Sequence, residues 1–244
     1  MMDTGSNIIQ AGAPIDAWVS QNRPHWSRAA IDRWDENRLQ SLMPFVRSHY
    51  WSDRHSVNVF AVVGTAHPDY CGMSWEQFLA AGKRMRANKA LLESNPEYYF
   101  DTGVKLPTML FVSLNGKHWY VNGDGNHRTC LAKFHFARLS ALGLATQTMI
   151  HGVTIDDYRV DWRLHDAYLK LKEALRAARS PATVEGYRYH IGRDDGPGWK
   201  VDRYDPKIRL VSGDGTETLL DADAARVQLA RLGRPAGGLL RWLR

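Results

Sequence analysis

Tyr120-Val-Asn-Gly-Asp-Gly-Asn-His-Arg-Thr129 is the stretch on which the reading of this chain turns. Two glycines, Gly123 and Gly125, let the backbone approach a ligand closely, and Asp124, Asn126, His127, Arg128 and Thr129 crowd polar groups around them. The apolar positions Leu131, Phe134 and Leu139 predict a helix from about His127 to Gly143. A helix start presents unpaired N–H groups to an anion, and His127 and Arg128 add side-chain donors. The turn has the composition of a phosphate cradle.

Upstream lies a strong local signal. Thr108-Met-Leu-Phe-Val-Ser-Leu114 and Lys117-His-Trp-Tyr-Val121 flank Asn115-Gly116, a pair suited to the positive φ angles of a type I′ turn. A β-hairpin is therefore predicted, its second strand feeding the glycine turn. Before it, Val57–Val63 reads as a short buried strand. Ser74-Trp-Glu-Gln77 reads as a capping box that opens a helix to about Leu92. Trp26 to Tyr50 has helical spacing interrupted near Pro44, residues 145–155 read as a strand, and 156–179 as a long helix. Beyond Ser180-Pro181, short strands are expected near 184–191, 199–204 and 207–211, then a helix from Asp221 to Leu232. The division expected is 1–54, an extension disordered at first and then helical; 55–180, the core; and 181–244, a small β-rich subdomain with a terminal helix and basic tail.

Composition narrows the function classes. Nine Trp and ten Tyr among 244 residues belong to a folded protein. Two cysteines, Cys71 and Cys130, are too few for a disulfide framework or a cysteine-based zinc site. No apolar run is long enough to span a membrane, and residues 1–14 lack the basic and apolar regions of a secretion signal, so a cytoplasmic location is expected. The net charge of +6 suits phosphate-bearing partners. From Arg226 to Arg244 there are five Arg and no acid, a tail suited to nucleic acid, an acidic protein or peripheral contact with an anionic membrane.

Strand, Asn-Gly turn, strand, Gly-Asp-Gly-Asn-His-Arg, helix, strand resembles the catalytic core shared by ParB-type partition proteins and sulfiredoxin, whose Gly-x-x-Arg signature binds nucleotide phosphates. Gly125-Asn126-His127-Arg128 matches that signature, and the resemblance covers about 55–155. It implies an α/β (α+β) fold with a small mixed sheet and flanking helices, and a nucleotide, ATP or CTP. Asn126 stands where sulfiredoxin has its cysteine, so sulfinic-acid reduction is not supported. Length and layout resemble a smaller branch, the Osa-type fertility-inhibition proteins of plasmids.

That resemblance implies a nuclease linked to ATP that suppresses conjugative DNA transfer, with DNA, nucleotide and a type IV secretion component as partners. The site it implies has Asp124, His127 and Arg128 as catalytic residues, with Mg²⁺ on Asp124 if a metal is used. Gly123, Gly125, Asn126 and Thr129 would bind nucleotide, joined by Lys83, Arg86 and Lys89 on the preceding helix. The alternative is a non-catalytic protein of this fold that blocks a secretion or partition partner. Each residue also has a plainer role: Asp124 as a turn residue, His127 as packing, Asn126 or Thr129 as a helix cap, and the lysines as a solvated face. A calcium loop starting at Asn122 is disfavoured by His127 and Lys133 at its sixth and twelfth positions.

Overall fold

The computed structural model describes residues 14–232. Segments 1–13 and 233–244, including most of the basic tail, lie outside the described residues. The fold is mixed α/β, with seven α-helices and nine strands among the described residues. Strand neighbours follow the order β1-β3-β5-β4-β6-β2-β8-β7, with β9 on β8. These strands are β1 (Asp32–Arg33), β2 (Val46–Asn58), β3 (Val62–Thr65), β4 (Leu110–Leu114), β5 (Trp119–Val121), β6 (Met149–Val160), β7 (Thr183–Gly196), β8 (Trp199–Val211) and β9 (Glu217–Leu220). Among the described residues no helix is long and apolar enough to cross a membrane.

Two compact units share the chain, each drawn from three stretches. The first comprises Met1–Asp35, Tyr50–Asp157 and Asp195–Lys200. Its helices are α1 (Ile15–Asn22), α3 (Trp75–Ala81), α4 (Met85–Ser94) and α5 (Asn126–Ala141). The hairpin forms as its Asn-Gly pair requires, with Asn115 and Gly116 at φ 66° and 67°. Val112 pairs with Tyr120 across β4 and β5, and β3 joins β5 in parallel. Helix α5 is buried nearly all round, by Cys130, Leu131, Ala132, Phe134 and Phe136, so it is the central helix of this core.

The structure revises several local expectations here. Val46–Tyr50 is strand, because the interruption at Pro44 ends in a short 3₁₀ turn and the chain leaves it extended. Val57–Val63 is divided by a 3₁₀ turn at Val59–Ala61, where Asn58 Oδ1 accepts from Phe60 N. The helix opened by the Ser74 capping box, which is present as read, breaks at Gly82 into α3 and α4. That break decides which basic residues reach the site.

The second unit comprises Glu36–His49, Tyr158–Asp194 and Val201–Arg244. It holds α2 (Glu36–Leu42), α6 (Trp162–Ala177) and α7 (Ala222–Leu232). Asp161 caps α6 by accepting from Leu164 N, and Asp221 accepts from Ala224 N at the start of α7. Leu164, Leu171 and Leu175 are buried on α6 at helical spacing. The two short strands expected at 199–204 and 207–211 are one, since β8 continues through Pro206.

Candidate functional site

Gly123 and Gly125 adopt φ of 114° and 112°, a backbone that residues with a side chain rarely take. A Cβ on Gly125 would also lie 3.2 Å from the Met109 Cβ. Gly125 is the N-cap of α5 and provides no side-chain cap, so the first N–H groups of a 16-residue helix are left for another acceptor. Two clamps fix this turn. Asn126, buried, donates from Nδ2 to Gly123 O (3.0 Å) and accepts at Oδ1 from Thr65 Oγ1 (2.6 Å), tying the turn to β3. Asp124 accepts from Gly125 N at Oδ1 and pairs through Oδ2 with Arg128 at 3.1 Å.

Arg128 is the most connected member. Its guanidinium donates to Tyr98 Oη (2.8 Å), Pro107 O and Thr108 O (3.2 Å) besides meeting Asp124. It therefore fastens the 98–108 segment to the glycine turn. A positively charged group near a helix start opposes the helix dipole, and here carbonyls and a carboxylate offset that cost.

The turn opens onto a cavity of about 670 Å³. It is lined by Gly123, Asp124, Asn126, His127 and Arg128 of the turn together with His67, Asp69, Lys83 and Arg84. Asn88, Leu91, Asn95, Tyr98, Leu106 and Pro107 also line it, Tyr98 and Pro107 in direct hydrogen-bond contact with Arg128. Leu91 and Leu106 are well exposed, so their part of the lining is apolar and open.

His127 packs against the Tyr70 ring (5.5 Å, edge-on) and the Phe78 ring (5.2 Å). Its Nε2 is buried without a hydrogen-bond partner among the described residues. Burial, and then the nearby Arg84 charge, lower its pKa, so the ring is neutral near pH 7. His67 stacks on the other aromatic neighbour, Tyr70, at 4.3 Å.

The sequence-derived site residues thus separate. Gly123, Asp124, Asn126, His127, Arg128 and Lys83 line the cavity, whereas Gly125, Thr129, Arg86 and Lys89 are not in its lining. Thr129 is buried and its N–H already donates to Gly125 O. Lys89 is engaged with Asp16 at 2.6 Å. Arg84 enters instead, because the break at Gly82 places it with Lys83 in the connector before α4. His67, Asp69 and Tyr70 arrive on the loop after β3, which carries no motif of its own. Only tertiary packing brings them in. Among the described residues no group of three or more His, Cys, Asp or Glu is placed to hold a metal ion.

No protein-family model matches the chain, and no curated protein or solved structure is significantly similar to it. The cavity lining combines the cations Lys83, Arg84 and Arg128 and a helix start with the carboxylates of Asp69 and Asp124. Two imidazoles stand in the same lining and are suited to proton transfer.

Proposed function

We propose that this protein binds a nucleotide, with its phosphates at the Gly123–Arg128 turn and its base against Leu91 and Leu106. One observation carries the reading: the glycine turn, with the composition of a phosphate cradle, lines a cavity of about 670 Å³. That is the size of a small-molecule site, and its lining also offers the apolar and amide groups a nucleobase needs. Lys83 and Arg84 supply positive charge, and the α5 N-terminus supplies oriented N–H groups.

Titration calorimetry with ATP and with CTP, with and without Mg²⁺, tests the reading. Binding should appear for at least one nucleotide and weaken in Lys83→Ala and Arg84→Ala. Absence of binding by both nucleotides under both conditions overturns it.

A second reading, phosphodiester cleavage in DNA by a cytoplasmic protein acting in plasmid fertility inhibition, draws on the shared lining of His67 and His127. In it one imidazole takes a proton from water and the other protonates the leaving oxygen. Nicking of supercoiled DNA, lost in His67→Ala and His127→Ala, would support it. Nucleotide binding without any cleavage would favour the regulator that blocks a secretion or partition partner.

A further inference from the structure

Strand β7 ends the strand order, and β8 is its sole strand neighbour among the described residues. It is 14 residues long and contains neither proline nor lysine; its charges at Glu185, Arg193, Asp194 and Asp195 flank the Tyr187–Ile191 stretch, and Arg188 alternates to the other face. Tyr187, Tyr189 and Ile191 alternate along it and so share one face, exposed at 37%, 41% and 64%. The two tyrosine rings meet edge-on at 4.7 Å. Three consecutive outward apolar side chains beside an unpaired backbone edge make an interaction surface.

We infer that β7 pairs antiparallel with β7 of a second copy of this chain, about a two-fold axis at Tyr189. The sequence of the strand is self-complementary in that register. Tyr189 meets Tyr189 of the second copy, and Tyr187 meets Ile191 of the second copy on either side of the axis. All three exposed apolar residues of β7 are covered by the same operation. One step further out, Glu185 comes opposite Arg193 of the second copy, so the ends of the pairing bring unlike charges together.

Within its own chain Glu185 pairs with Arg209, and Arg193 with Asp202. The flanks thus carry both signs and add no like-charge barrier. A two-fold pairing uses each edge once and closes, which is how a long apolar edge avoids open-ended association. Cross-strand aromatic and β-branched pairs of this kind are the stabilising units of antiparallel sheets.

The full chain is tested by sedimentation velocity over a hundredfold concentration range, alongside Tyr189→Lys and Ile191→Lys. The wild type should sediment as a dimer. Each variant, which sets like charges against each other or removes an apolar pair, should raise the dimer dissociation constant at least tenfold with an unchanged circular dichroism spectrum. A wild type that stays monomeric throughout, or a dimer indifferent to both variants, overturns the inference.

Cross-linking keeps the test independent of variant folding. In a Cys71→Ser background, Tyr189→Cys should form an intermolecular disulfide under mild oxidant, since opposite residues bring their Cβ atoms to about 5 Å. Arg203→Cys, away from this edge on β8, should not. Equal cross-linking at both positions also counts against the pairing, and a monomer that captures an extended peptide at β7 assigns the edge to another partner.

Discussion

Arg128 stands 3.1 Å from the Asp124 carboxylate four residues before it, yet the two are unequal partners. The Arg128 side chain is 13% exposed and holds three further acceptors, while that of Asp124 is 62% exposed. Removing the arginine leaves the half-buried Tyr98 hydroxyl and Thr108 carbonyl, and the exposed Pro107 carbonyl, without this donor. Removing the carboxylate charge leaves an oxygen that still accepts from Gly125 N. Arg128→Ala should therefore cost about 3 kcal/mol of stability and Asp124→Asn less than about 1 kcal/mol, as read by urea unfolding.

The basic residues near α4 should divide by position rather than by charge. Lys83 and Arg84 line the cavity, whereas Lys89 is spent on Asp16 and Arg86 lies outside the lining. Alanine at 83 or 84 should weaken nucleotide binding roughly tenfold, the worth of one charge-assisted hydrogen bond. Arg86→Ala should leave the calorimetric affinity within about twofold.

Gly125 is required by backbone as well as by space. At φ 112°, with Met109 Cβ 3.2 Å from where a side chain would begin, Gly125→Ala must either distort the turn or push β4 away. A loss of about 2 kcal/mol is expected, and thermal unfolding would register it. Nucleotide affinity should fall with it, because the same turn sets the start of α5.

Lys133 makes stability rise with pH in the alkaline range. It is 3% exposed, donates to Val59 O (3.1 Å) and Val62 O (2.7 Å), and lies 4.3 Å from the centre of the Trp75 ring. Burial lowers its pKa from 10.5 to about 8, so between those values the unfolded chain keeps a proton that the folded one has released. Its contribution is constant below pH 8 and then grows by about 3 kcal/mol up to pH 10.5. Urea midpoints at pH 7.5 and 10 should show this rise in the wild type relative to Lys133→Met. Equal changes in both proteins would refute it.

His135 acts at the acid end with the same sign. It is buried against Tyr99 and Phe100, and burial followed by the Arg138 charge lowers its pKa from 6.5 to about 4. The unfolded chain gains a proton there before the folded one does, so stability is lost as pH falls from 6.5 to 4, by about 3 kcal/mol in all. His127, shifted in the same direction, adds to the loss. His135→Met should flatten the acid side of the stability curve, measured as unfolding midpoint against pH.

Local patterns were legible wherever neighbouring residues settle the matter between themselves. Asn115-Gly116 dictates its turn through positive φ, Ser74 and Gln77 close their capping box within one helical turn, and Gly123 and Gly125 announce a turn that only glycine makes easily. The mixed α/β class follows from such segments. Where contacts across the chain decide, the pattern was silent. Nothing near Val46–Tyr50 distinguishes a strand from the end of a helix until the sheet supplies hydrogen-bond partners.

By itself, then, the sequence determined the glycine turn, the helix it begins and the hairpin that delivers it, because these are fixed by backbone sterics over a few residues. Tertiary structure alone decided what faces that turn. The interleaving of three stretches in each unit has no signature in a linear reading, and the break at Gly82 substitutes Arg84 for Arg86 and Lys89 at the cavity. It also gave Arg128, which lines the cavity, the carbonyls of Pro107 and Thr108 as acceptors. A guanidinium binds the acceptors that packing brings within reach, and those lie about twenty residues away along the chain.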